Sequence, residues 1–190
     1  MITVTLDPLI QLQTEDFYAL CRQNPDLKLE RSAQGELIIM SPTGGETGRR
    51  NVNLIVQLAT WNDAEQLGEV FDSSTGFSLP DGADYSPDAA WVEKSRWQSL
   101  SPSQRERFVP LCPDFVVEIL SPSDSLKKVQ RKMQDYRDNG CRLGWLINRK
   151  KREVEIYRLQ QAVEILSNPT VISGEAVLPG FNLNLTKILS

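Results

Sequence analysis

The sequence contains no histidine. That absence removes Ser-His-Asp and Cys-His triads, His-ligated zinc and imidazole acid–base catalysis together, so any catalysis must run on carboxylates, lysines or hydroxyls. Cysteine is scarce. Cys21, Cys112 and Cys141 are odd in number, widely scattered and form no CxxC pair, which argues against a disulfide framework or a zinc ribbon and leaves each as a small buried hydrophobe. Long apolar runs are missing too, and the start MITVTLDPLIQLQ has no cationic stretch leading into one; the expectations are no membrane association and a cytoplasmic location. A formal net charge of −4 over 190 residues neither recruits nor repels a polyanion, so any nucleic-acid site has to be local.

What is present suits one core. With 40% hydrophobic residues in 190, a single domain spanning residues 1–190 is expected. Thr14 precedes EDFYALCRQNP, where Phe17, Leu20 and Cys21 recur at helical spacing behind acidic Glu15 and Asp16, and Pro25 closes the helix. LKLERSAQGELIIMSP reads as an N-terminal hairpin turning at Ala33-Gln34-Gly35. From Gly48 to Leu67 the apolar positions Val52, Leu54, Ile55, Leu58, Ala59 and Trp61 follow a period near 3.6 and predict a long amphipathic helix. Next come two strands around the Pro80-Asp81-Gly82 turn, the second carrying Asp88 and ending near Glu93. FVVEIL is the most strand-like hexamer and is expected at the centre of a sheet. Ser123 or Asp124 caps a helix through about Asn139, with Leu126, Val129, Met133 and Tyr136 as its apolar stripe and Gly140 as its stop. LGWLIN and EVEIYRL follow as strands separated by RKKR, and short strands close the chain.

Alternation along FVVEIL puts Asp114, Val116, Glu118 and Leu120 on one face, so Glu118 interrupts an apolar surface. An ionised carboxylate left alone there costs roughly several kcal/mol and has to be paired, protonated or metal-bound. Asp114 is four residues away along the strand, about 13 Å, too far to share a coordination shell. Asp88, at the start of the apolar strand AAWV, is the better partner, and two carboxylates with backbone carbonyls and waters make the hard-oxygen site that Mg²⁺ or Mn²⁺ prefers. A salt bridge from lysine or arginine to Glu118 would satisfy the same residue chemistry.

PDFVVEILSPSD, KMQDYRDNG and LGWLIN, together with SPDAAWVEKSRW and MSPTGG, closely resemble the Uma-type family of putative restriction endonucleases within the PD-(D/E)XK nuclease-like superfamily. The likeness extends over nearly the whole chain. It implies an α+β, restriction-endonuclease-like mixed central β-sheet flanked by helices. It also implies a metal-dependent phosphodiesterase acting on DNA as an endonuclease, with Asp88 and Glu118 as metal ligands.

The superfamily pattern expects a lysine where this chain has Leu120. The resemblance supplies a substitute on the following helix, Lys132, as the residue stabilising the reacting phosphate or water. It also suggests a further acid at Glu46, although a helix N-terminus favours glutamate in any case. Arg49 with Arg50, Lys127 with Lys128, and the run from Arg149 to Arg152 are the positive clusters available to phosphates. A homodimer would match the two-fold symmetry of duplex DNA. The alternative is a nuclease-like fold that no longer cleaves and serves as a nucleic-acid-binding or assembly module, a reading that Leu120 and the acidic balance favour.

Overall fold

The computed structural model describes residues 2–7 and 9–190. Along the chain run β1 (Ile2–Val4), α1 (Thr14–Gln23), β2 (Lys28–Arg31), β3 (Leu37–Met40), α2 (Gly45–Glu65) and β4 (Gly68–Asp72). They are followed by β5 (Phe77–Ser78), β6 (Asp84–Tyr85), β7 (Ala89–Glu93), α3 (Lys94–Gln98), α4 (Pro102–Arg105) and β8 (Phe115–Ile119). The chain ends with α5 (Leu126–Asp138), β9 (Leu143–Asn148), β10 (Glu153–Arg158), β11 (Glu164–Ser167), β12 (Val171–Ser173) and β13 (Asn182–Asn184).

The central sheet has the order β11-β10-β9-β8-β7-β4. Its one parallel pair, β8 with β9, is bridged by α5, and the other pairs are antiparallel. Such a crossover needs a helix because parallel neighbours cannot be joined by a tight turn. Strand alternation sorts the two faces of β8. Phe115, Val117 and Ile119 pack with Leu54 and Leu58 of α2 and with the C-terminal Phe181, Leu183 and Leu185. Val116 faces the other way, with Val129, Met133 and Tyr136 of α5. The sheet is therefore covered on both sides, which is why β8 and β9 are buried along their whole length. This is the mixed α+β arrangement expected from the sequence.

A second sheet, β1-β3-β2-β6-β5, contains the N-terminal hairpin. One expectation needs correction here. The Pro80-Gly82 turn does close a hairpin, with Gly82 at φ 92°, but its arms are the two-residue β5 and β6 of this second sheet. The strand following Asp88 instead pairs with β4 and β8 in the central sheet. Pro87 explains the break: it has no N–H for a ladder, so the chain leaves one sheet at Tyr85 and enters the other at Ala89. Helix boundaries differ by small steps. α2 starts at Gly45 rather than Gly48, and the caps of α1 and α5 are Gln13 and Ser125.

Candidate active site

Antiparallel pairing sets the first two groups. Ala89 lies opposite Val117 in the β7–β8 ladder, so one step further Asp88 stands opposite Glu118. Directly opposed residues point to the same face, with Cα atoms about 4.5–5.5 Å apart. Asp88 is then fixed by two donors. Its Oδ2 accepts the backbone N–H of Ile119 at 2.8 Å, and its Oδ1 accepts Nδ2 of Asn51 on α2 at 2.8 Å.

Glu118 faces α5, where Lys132 meets it: Nζ lies 2.7 Å from Glu118 Oε1 and 2.8 Å from Oε1 of Glu30 on β2. Lys132 is only 8% exposed. Its ammonium sits over the Tyr85 and Tyr136 rings, 5.2 and 5.8 Å from their centroids. The Tyr85 hydroxyl is held by Asp135 at 2.8 Å. Glu30 also accepts the backbone N–H of Ser86 at 2.8 Å.

The charges do not balance. Three carboxylates, Asp88, Glu118 and Glu30, surround one ammonium. Burial pushes the Glu118 carboxyl up to about 7, opposed by Lys132 and reinforced by Asp88 and Glu30. Burial likewise raises Asp88, against the hydrogen bonds from Ile119 and Asn51. For Lys132 burial pulls downward, but Glu118 and Glu30 outweigh it and hold the ammonium above its ordinary range. The group around Glu118 thus favours an added positive charge, as a proton or as a cation.

Asp88, Glu118 and Lys132 open onto a cavity of about 370 Å³ whose wall also includes Asn51, Thr47 and Lys28. Two oxygens there are uncommitted. Asn51 donates through its amide nitrogen, so its Oδ1 is buried without a partner, and no hydrogen bond engages Glu118 Oε2 among the described residues. No group of three acidic, cysteine or histidine side chains able to hold a metal occurs among the described residues. Mg²⁺ is often held by only one or two carboxylates, with water and substrate phosphate completing its shell. Asp88, Glu118 and the Asn51 amide oxygen form a hard donor set that fits such an ion.

The structure brings together Asp88, Glu118 and Lys132, and leaves Glu46 apart. Glu46 lies in the first turn of α2 with its side chain 68% exposed, paired with Arg49 and Arg50 at 3.0 and 2.7 Å. Its α2 contributes Asn51 instead. Asp114 is engaged elsewhere, by Arg96 and the Glu93 N–H. Leu120 packs partly buried against the α5-side core. Of the basic clusters, Arg50 is buried against Glu46 and the Ser190 carbonyl, and Arg152 is turned to Asn168 and the Leu189 carbonyl.

Sequence reading missed Glu30, Asn51, Tyr85 and Tyr136 as parts of the site. Glu30 sits between charged Lys28 and Arg31 in a strand, a pattern that reads as a solvent face. Tyr136 was visible only as a member of the apolar stripe.

Residues 14–186 match the family model described as "Uma2: Putative restriction endonuclease". Among solved structures, the fold is similar to the crystal structure of a putative nuclease belonging to DUF820 from Anabaena variabilis. The two are 20% identical with a TM-score of 0.77, over 94% of this chain and 97% of that one. No curated protein matches.

Proposed function

The chain belongs to the Uma2 family, and on that premise we propose that it is a metal-dependent phosphodiesterase that cuts DNA internally, with Asp88 and Glu118 as ligands of Mg²⁺ or Mn²⁺. The observation carrying this reading is Lys132: its ammonium lies 2.7 Å from Glu118, although the strand position where the superfamily pattern expects a lysine is Leu120. A cation held by Asp88, Glu118 and Asn51 would supply an activated water and neutralise phosphate charge.

The protein's own residues do the rest. Ile119 N–H and Asn51 fix the Asp88 carboxylate before any ligand arrives. Lys132 spends two of its N–H donors on Glu118 and Glu30, leaving a third to reach a phosphate oxygen or the attacking water. Tyr85 and Tyr136 wall off the far side of the ammonium, so its field is directed toward the cavity.

The test is cleavage of plasmid, linear and single-stranded DNA with Mg²⁺ or Mn²⁺, beside Asp88→Ala. Cation-dependent cutting lost in that variant supports the proposal. Retained binding of DNA with no cutting under any cation favours the non-cleaving module, the reading that Leu120 supports.

A further inference from the structure

Glu118 has two claims on it. It is the nearest carboxylate to Lys132 and, in the function proposed above, a ligand of the cation. A divalent ion on Glu118 would cancel its pull on the ammonium and repel it directly. A lysine held by Glu118 alone, on a flexible four-carbon stem, would then swing away. We infer that Glu30 is a positioning residue that anchors Lys132 from the second sheet and keeps its ammonium at the site when Glu118 is occupied by a cation.

The placement of Glu30 suits that task. It is 1% exposed, and Lys132 is the one cation within salt-bridge distance of it among the described residues. Its Oε1 is oriented by the Ser86 N–H at 2.8 Å, on the same short segment that delivers Asp88 two residues later. Arg31, the next residue on β2, is locked to Asp84 of β6 by a buried ion pair of 2.7 Å. The second sheet thus fixes the anchor and the Asp88 approach together, while Tyr85, clamped by Asp135, closes the cage below the ammonium.

The inference rests on the nuclease reading for its consequence in catalysis, but the anchoring itself can be read without activity. With ¹⁵N-lysine and ¹³C-glutamate labelling, NMR should detect a protected Lys132 Nζ and its scalar coupling through the hydrogen bond to the Glu30 carboxylate. Both should persist at saturating Mg²⁺ and in Glu118→Gln, where the competing charge is absent. Disappearance of the coupling in either condition overturns the inference, and this measurement stands even where substitution at Glu30 prevents folding.

Glu30→Gln, which keeps an acceptor but loses the charge, should lose the protected Nζ signal on adding Mg²⁺. Its kcat should fall about 10- to 100-fold with KM for DNA within about threefold, and Glu30→Asp should recover part of the loss. A Glu30→Gln enzyme with wild-type kcat and an unchanged Nζ signal sinks the anchoring role while leaving the nuclease intact. Conversely, a persistent Lys132–Glu30 coupling in a protein that cuts no DNA upholds the anchor and removes the nuclease reading.

Discussion

Asp88 and Ile119 are joined by a hydrogen bond from the Ile119 N–H to Asp88 Oδ2 at 2.8 Å, which ties one carboxylate to the residue immediately after the other, Glu118. The backbone of β8 therefore sets both acids at once. Holding Asp88 ionised in that position has a cost, since burial pushes its carboxyl upward.

Asp88→Asn should for this reason stabilise the fold while ending cleavage. The new amide oxygen can still accept the Ile119 N–H, and Asn51, whose Oδ1 lacks a partner among the described residues, can turn over to accept the new N–H₂. Removing a buried charge at little loss of hydrogen bonding should gain about 1 kcal/mol, a rise of roughly 2–4 °C in Tm for a chain of this size. Calorimetry beside a plasmid-nicking assay checks it; a lower Tm would show that Asp88 is held by more than the contacts described.

Cation binding should depend on pH in a defined direction. The Glu118 carboxyl goes from an ordinary value of 4.5 in the unfolded chain to about 7 in the folded one. Between these values the folded protein binds a proton that the unfolded chain does not, so the stability owed to Glu118 is greatest below 4.5 and falls as pH rises toward 7. Mg²⁺ or Mn²⁺ has to displace that proton, so affinity should climb by about tenfold per unit below the folded pKa and level off above it. Thermal shifts at a fixed Mg²⁺ concentration should grow from pH 5.5 to 7.5. The same series on Glu118→Gln should be flat.

Asn51→Ala tests the uncommitted amide oxygen. It deletes both a ligand candidate and the donor that orients Asp88, so cation affinity should fall about 10- to 100-fold. The half-buried position limits the stability loss to about 1 kcal/mol. Isothermal titration with Mn²⁺ separates the two effects.

Much of this was legible in the sequence, and the limit has a physical cause. Strand alternation showed that Glu118 interrupts an apolar face of β8, and the family resemblance supplied Lys132 on the helix whose apolar stripe holds Met133 and Tyr136; both patterns are local. Glu30 acts through a contact with a residue 102 positions away, between the second sheet and α5, whose packing no local periodicity encodes. The Pro80-Gly82 turn shows the same boundary: its local geometry was readable, but which sheet its arms join was decided by Pro87 and by the Arg31–Asp84 pair. Lys132 showed both sides, since the resemblance implied its role beside Glu118 and nothing in the sequence pointed to its second partner.

That second partner alters what removal of Lys132 should do. With Glu118 as the sole partner, Lys132→Ala would be expected to stop cleavage and leave folding intact. The structure instead leaves Glu30, 1% exposed, facing Glu118 with no cation between them, and breaking a buried pair in this way costs about 3–5 kcal/mol. Lys132→Met, which preserves the stem's packing against the tyrosine rings, should therefore both lose about 10²- to 10³-fold in rate and unfold at lower denaturant. The stability loss should shrink as pH falls and Glu118 takes up a proton, because burial pushes its carboxyl up to about 7 in the intact site. Adding Glu30→Gln to Lys132→Met should restore most of the stability and none of the activity, which separates the lysine's electrostatic role from its structural one. Lys128→Ala is the control one turn earlier on α5: among the described residues its ammonium reaches only the Thr3 hydroxyl, at 2.9 Å, so stability should hardly change and cleavage should weaken slightly through phosphate contact alone. A double variant that regains activity along with stability would show that Lys132 serves the fold and that another group meets the phosphate.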